Sequence, residues 1–205
     1  HLYRSPNLID WIYIGEFVEN NPFGFSGDDG SCPHFWPIAD KHILLTYSHV
    51  HSAMFIIGEY DAKRQKLVAC RGGNLNTGAS GKGSIHAPSA YPDGKGGVNC
   101  IYNITEGKPQ KGWAQIMSLP RKYTLGANNR LLVEPAGDIA SIREDKREIT
   151  DLELPANSEV VLEAIRGNTL EIQAEIDLGE SKYIRLNVLR STDKSEYTAI
   201  NFYRE

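Results

Sequence analysis

The feature that most constrains this chain is a succession of short apolar runs separated by turn-forming residues. Trp11 to Val18 reads WIYIGEFV, His42 to Ser48 reads HILLTYS, and Ala53 to Tyr60 reads AMFIIGEY. Lys66 to Cys70, Val98 to Ile104 (VNCIYNI) and Trp113 to Leu119 (WAQIMSL) follow. These runs are rich in β-branched and aromatic residues. Gly, Pro, Asn and Asp fill the gaps, as strands joined by tight turns require. No sustained 3.6-residue apolar period occurs before residue 130, which excludes a helical fold for that part. The pattern predicts an all-β architecture.

Arg71 to Gly97 breaks the rhythm, with eight of the 19 glycines. It reads as a long surface loop between strands, and loops of that length also carry binding sites. Leu131 to Arg143 (LLVEPAGDIASIR) is compatible with a short amphipathic helix or an irregular connector. After Pro155 apolar residues alternate: Val160-Leu162, Leu170-Ile172-Ala174-Ile176, Ile184-Leu186-Val188 and then Ala199 to Tyr203. Alternation of this kind marks strands with one buried face, as in a β-sandwich. The change of texture places a boundary in residues 125 to 145.

Charge narrows the partners. Twenty-two Lys and Arg face 26 Asp and Glu, a net charge of -4. No basic stripe is available to neutralise phosphates, so nucleic acid is not an expected partner. No run approaches the ~18 consecutive apolar residues of a membrane helix, so no membrane partner is expected either. The opening residues His1-Leu2-Tyr3-Arg4-Ser5-Pro6 lack the apolar core of a signal peptide. Processing removes such segments, so an extracellular or vacuolar parent remains compatible with this beginning. Cys32, Cys70 and Cys100 are odd in number and widely spaced, and form no disulfide framework. Asn103-Ile104-Thr105 is a glycosylation triplet of a kind that also arises by chance.

Three local motifs bear on chemistry. Gly78-Ala79-Ser80-Gly81-Lys82-Gly83-Ser84 lacks the residue order of a phosphate loop and no helix pattern follows it. His49-Val50-His51 would set two imidazoles on one face of a continuing strand. The other zinc ligands it would need, such as Asp61 or His42, have no diagnostic spacing, so loop histidines are the favoured reading and no metal or cofactor is expected. Ser26 to Ile38 reads SGDDGSCPHFWPI and sets Asp28 and Asp29 beside an aromatic cluster. That is an acidic turn or a carboxylate beside sugar-stacking rings. On a pleated strand only one of the two aspartates could aim into a site.

From this segment outward the chain resembles glycoside hydrolase family 32, the β-fructofuranosidases. Leu2-Tyr3-Arg4-Ser5-Pro6-Asn7-Leu8-Ile9-Asp10-Trp11 resembles a recurrent blade element of that family. Cys32-Pro33, followed by Phe35, Trp36 and Pro37, resembles the segment after its Glu-Cys-Pro motif. His42-Ile43-Leu44-Leu45 and Ile57-Gly58-Glu59-Tyr60-Asp61 resemble two of its strands. Ala87-Pro88-Ser89, Gly112-Trp113 with Leu119-Pro120-Arg121, and Leu131-Leu132-Val133-Glu134-Pro135 resemble later segments in the same order. The resemblance implies a five-bladed β-propeller followed by a β-sandwich: blades over 1–125, a linker over 126–145 and the start of a sandwich over 146–205. It implies retaining hydrolysis of β-fructofuranosides such as sucrose or fructans by two carboxylates. Asp29 is the first choice for acid/base and Asp28 the second, with His34, Trp36, His86 and Trp113 as substrate-binding candidates.

The departures are specific. The family's Asn-Asp-Pro nucleophile motif is absent, and Asn20-Asn21-Pro22-Phe23-Gly24 lacks the aspartate. The Arg-Asp-Pro motif is missing, Ser31 stands in place of the Glu of Glu-Cys-Pro, and His86 stands where tyrosine is usual. A five-bladed propeller takes ~200–250 residues, and a sandwich adds ~100. The 205 residues cannot hold both, so the expectation is a fragment of a longer enzyme, with the missing N-terminal portion as its partner. Two alternatives belong beside this reading: a non-catalytic carbohydrate-binding relative, and a propeller glycosidase for another sugar.

Overall fold

The computed structural model describes residues 1–75, 84–105 and 111–204. The Gly78–Ser84 motif lies, apart from Ser84, outside the described residues. The chain divides into two compact units, His1–Ile139 and Ala140–Glu205. The fold is all-β, as expected, and its only described helical segments are two 3₁₀ turns, Ala127–Asn129 and Ile139–Ile142.

In the first unit, β1 (Leu2–Arg4) pairs with β2 (Ile12–Gly15) as a small antiparallel ribbon. Four longer strands then form an antiparallel meander: β4 (Ser31–Ile38), β5 (Lys41–Ser48), β6 (Ser52–Asp61) and β7 (Lys66–Asn74). β3 (Val18–Glu19) adds to the outer edge, parallel to β7. A second sheet follows the same plan. β8 (Ile85–Pro92) pairs with β9 (Val98–Ile104), and β9 pairs on its other side with β10 (Ile116–Met117) and β11 (Arg121–Leu125). β12 (Leu131–Pro135) closes this sheet against β11. Leu131 to Arg143 is thus neither a helix nor a plain connector: it is an edge strand followed by a 3₁₀ turn. Much of the expected Arg71–Gly97 loop is strand, because β7 runs through Asn74 and β8 begins at Ile85.

Sheet alternation explains the core. Ile43 and Leu45 of β5, Ala53 and Ile57 of β6, and Ile38 of β4 are buried with Ile85, Ala90, Val98, Cys100, Tyr102 and Tyr123 of the second sheet. The Tyr123 hydroxyl donates to the Tyr102 hydroxyl at 2.9 Å, which satisfies one polar end inside an apolar core. Burial pushes the Tyr123 phenol up to about 12. The two sheets are stitched at their adjoining strands, β4 and β8. Trp36 Nε1 donates to Ala90 O at 2.8 Å, and the Ala39 amide donates to Gly96 O at 2.8 Å.

In the second unit, β13 (Tyr183–Val188) and β14 (Thr198–Tyr203) form an antiparallel hairpin. The alternation at Leu170–Ile176 predicts a strand, but residues 144–182 contain none. An apolar-faced strand needs an edge to pair with and a layer to cover it. This stretch has neither, so Leu170, Ile172 and Ile176 remain exposed.

Candidate active site

The acidic turn is built by its glycines and by its own carboxylates. Gly27 has φ +90° and Gly30 has φ +61°, values that residues with a Cβ rarely adopt. Between them the Phe25 amide donates to Asp28 Oδ2 at 2.8 Å, and the Asp28 amide returns a bond to Phe25 O at 3.2 Å. Asp28 and Asp29 therefore sit on a turn rather than a pleated strand. Both line one cleft of about 380 Å³, together with Glu16, Phe17, Phe23 and Thr46. The expectation that only one could face a site assumed strand geometry, and the turn removes that restriction.

The turn after β5 completes the cluster. Ser48, fully buried, accepts the amides of Val50 at 3.2 Å and His51 at 3.0 Å, which folds residues 49–51 back toward the acidic turn. His51 Nδ1 then lies 2.8 Å from Asp28 Oδ1, and His49 Nδ1 lies 2.7 Å from Asp29 Oδ2. Asp29 also accepts the His49 amide at 3.0 Å and the Ser31 hydroxyl at 2.5 Å. Phe25 packs on the His51 ring at 4.8 Å between centroids. The two histidines sit in a loop, as favoured, and each holds an aspartate.

These bonds decide the electrostatics. Burial pushes the Asp28 carboxyl up, but bonds from Ser48, the Phe25 amide and His51 outweigh it and leave it below its ordinary value. The Ser31 hydroxyl, then the His49 amide and ring, hold the Asp29 carboxyl well below the carboxylate range. A general acid needs the opposite shift. Asp29, the first choice for acid/base, and Asp28, the second, are thus both held toward the charged form by these bonds.

Two strand irregularities converge here. β4 changes register between Ser31 and His34, and β8 does so between His86 and Ser89. Bulges of this kind re-aim side chains beside sites. Tyr47, the β5 partner of Ser31, bridges the sheets: its ring is 5.0 Å from His49 and 5.4 Å from His86. Burial, then the neighbouring His49, lowers the His86 pKa. His86 Nδ1 is buried without a partner among the described residues. His86 thus stands beside the cluster.

His34 and Trp36 do not. His34 Nδ1 accepts the Ala90 amide at 3.4 Å, and the Trp36 indole spends its N–H on Ala90 O and its edge on Tyr91, 5.1 Å away. Both are half-buried in the seam between the sheets. Trp113 is half-exposed ahead of β10 and shares none of the described ring contacts of the cluster. Glu16, His49, His51 and Tyr47 were not singled out as site residues. The signal available was the pairing of two adjacent acids with two histidines two residues apart, each group flanked by glycine or serine.

Comparison with known proteins bears on what such a cluster does. The model of the glycosyl hydrolases family 32 N-terminal domain matches residues 1–135. A sucrose-6-phosphate hydrolase of Zymomonas mobilis is 24% identical over 224 residues, covering 97% of this chain and 41% of its own length. The cell wall isozyme of beta-fructofuranosidase from Pisum sativum is 26% identical over 173 residues, covering 69% of this chain and 30% of its own. The chain spans about two fifths or less of the length of these relatives. A solved glycoside hydrolase family 32 structure from Bifidobacterium adolescentis superposes with a TM-score of 0.46 at 14% identity, over 55% of this chain and 19% of that one.

Proposed function

The chain belongs to glycosyl hydrolase family 32, and from that membership we propose that the full-length protein is a retaining glycoside hydrolase acting on β-fructofuranosides, sucrose or fructans. The observation that carries the reading is the coincidence of two things in one unit. The family match covers residues 1–135, and the same residues form a cleft that presents Asp28, Asp29 and Glu16 together. Relatives named for sucrose-6-phosphate hydrolysis and for beta-fructofuranosidase activity support the substrate class. Retaining hydrolysis uses a carboxylate to attack the anomeric carbon and a second group to protonate the leaving oxygen.

Within this reading, residues 1–125 are later blades of a five-bladed propeller, 126–145 the linker and 146–205 the start of a sandwich. Two successive four-row meanders, β4 to β7 and β8 to β12, support the blade assignment. Asp28 and Asp29 anchor the sugar-facing wall, His86 lines it, and Trp113 is a peripheral sugar-binding candidate. The nucleophile belongs to the N-terminal portion of the full-length protein.

The test is hydrolysis of sucrose, inulin and levan by the full-length protein, with Asp28→Asn and Asp29→Asn compared. The expected loss in each variant is on the order of 10²-fold, the usual scale for groups that handle or position a transferred proton. No hydrolysis of any of the three substrates by the unaltered protein overturns the reading.

Ser31 favours a second reading, a carbohydrate-binding relative without turnover, because a serine hydroxyl cannot protonate a leaving group at neutral pH. Calorimetric binding of a fructoside with no product formed would establish it.

A further inference from the structure

The cleft that presents Asp28 and Asp29 is one-sided in charge. Its floor is the face of the first sheet that carries Leu44 and Thr46 of β5 opposite Ile56 and Met54 of β6. Three carboxylates stand over that floor, those of Glu16, Asp28 and Asp29, and among the described residues no lysine or arginine lines the cleft. The basic groups beside these acids are already engaged. Lys66 Nζ donates to the Glu16 carbonyl. His49 Nδ1 and His51 Nδ1 lie 2.7 Å from Asp29 and 2.8 Å from Asp28, and His1 Nδ1 is 3.4 Å from Glu16 Oε1.

The rest of the lining suits a neutral sugar. Phe23, Leu44, Met54 and Ile56 offer apolar surface to sugar C–H groups, and carboxylates accept from sugar hydroxyls. Asn21 and Thr46 add polar groups without charge, and Asn21 spends its Oδ1 on the Phe23 amide. A phosphate ester is a different guest. It carries about −1.5 to −2 charge at pH 7 and three strong acceptor oxygens. Proteins take such groups with Arg and Lys, which this cleft does not offer. A cavity of about 380 Å³ is also small beside the screening length of physiological salt, ~8 Å. Repulsion from the three carboxylates therefore reaches an ester anywhere in the cleft, whichever hydroxyl carries it.

We infer that Glu16, Asp28 and Asp29 are specificity determinants, and that their combined charge restricts the cleft to unphosphorylated fructosides. The inference rests on the hydrolase reading above and narrows its substrate class. It sets this chain apart from the matched relative named a sucrose-6-phosphate hydrolase. Discrimination of this kind comes from a repulsive element facing the wrong guest as much as from contacts to the right one. Glu16 is the member that sequence reading passed over, and it is the one whose charge can be removed without touching the Asp28 and Asp29 turn.

The experiment compares sucrose with sucrose 6-phosphate on the full-length protein, at about 0.01 M and about 0.5 M NaCl. At low salt kcat/KM is expected to favour sucrose on the order of 10²-fold, the scale of like-charge juxtaposition. High salt should narrow that ratio severalfold by speeding the phosphorylated substrate alone, because screening acts only on the charged one. Glu16→Gln keeps the side-chain shape and removes one charge, and should narrow the low-salt ratio about three- to tenfold. If the protein cleaves a fructan but neither disaccharide, their inhibition of inulin hydrolysis gives the same ratio, with sucrose the stronger inhibitor. Sucrose 6-phosphate used as well as sucrose, or better, overturns the inference and leaves a fructoside hydrolase. A preference for sucrose that salt does not move is steric and overturns it as well. Should Glu16→Gln not fold, the salt dependence of the unaltered protein decides. If sucrose, sucrose 6-phosphate, inulin and levan are all left intact, the hydrolase reading falls and takes the inference with it.

Discussion

At the scale of single residues, the site is a set of acid–imidazole pairs, and each pair leaves a signature in how stability depends on pH. Asp28 and Asp29 have folded pKa values below the ordinary 3.8, held there by Ser48, the Phe25 amide and His51 in one case and by Ser31 and His49 in the other. A carboxyl depressed by folding contributes stability above its unfolded value, and that contribution is lost as the pH falls through the folded value. His86 has a folded pKa lowered from 6.5 by burial and His49, and burial also lowers that of His42, which stacks on Phe35 at 5.0 Å. For these histidines the unfolded chain binds the proton more tightly, so their contribution is present above about pH 6.5 and fades as the pH falls below it. Two separate steps of destabilisation are expected on acidification, one starting near pH 6.5 and one below about pH 4. Thermal melts across that range check this: His86→Gln should shrink the upper step, with His42 supplying the remainder, and Asp28→Asn the lower. Unchanged steps in both variants would mean that these contacts do not form. The composition of this cluster was legible in the sequence, since Asp28, Asp29, His49 and His51 all stood out. Their pairing was not, because it depends on a tertiary approach between a turn at residue 28 and a turn at residue 50.

At the scale of elements, strands were legible wherever an apolar run was long, and the site-forming details were not. β5, β6 and β9 fall on HILLTYS, AMFIIGEY and VNCIYNI almost residue for residue. The register shifts at Ser31/His34 and His86/Ser89 left no such trace, since a bulge answers to the neighbouring strand rather than to its own side chains. Gly58 illustrates the same dependence. It lies where β6 shifts register against β7, and a Cβ there would sit 2.3 Å from Val68 O and 2.9 Å from Leu67 Cδ1. No side-chain rotation relieves a clash with a backbone oxygen. Gly58→Ala is expected to cost roughly 1–3 kcal/mol by overpacking, read as a melting temperature lower by about 2–4 °C per kcal/mol for a chain of this size. A melt within a degree of the parent would show that the two strands part there at no cost. The seam between the sheets makes a second test. Trp36→Phe keeps a ring against Tyr91 and removes the donor to Ala90 O, leaving a half-buried carbonyl unpaired. The expected cost is about 1–2 kcal/mol, with fructoside binding by the full-length protein unchanged. Weakened binding at unchanged stability would place Trp36 at the sugar site.

At the scale of the whole molecule, the two units differ in how much of their apolar surface they bury. The first unit holds the entire described cluster of buried residues, from Ile38 to Tyr123. In the second, Val161, Leu170, Ile172, Tyr183 and Phe202 are all exposed, and ion pairs such as Arg143–Glu171 and Arg190–Glu159 sit at its surface. Surface pairs of that kind contribute roughly 0–1 kcal/mol each, too little to replace a core. The sandwich alternation in residues 160–176 is real as a sequence pattern, but a pattern specifies a strand only where a partner edge satisfies its backbone. Local opening follows buried contacts and backbone pairing, so the second unit should open at much lower free energy than the first. Limited proteolysis of the 205-residue chain is therefore expected to cut first within residues 144–182, before any cut within β4 to β7. Hydrogen exchange should follow the same order, with the amides of β5 and β6 the slowest and those of residues 144–182 near the rate of an unfolded peptide. Fast exchange in β5 and β6 would mean that the first unit's core does not hold without further chain, and the cleft at Asp28 and Asp29 would then exist only in the full-length protein.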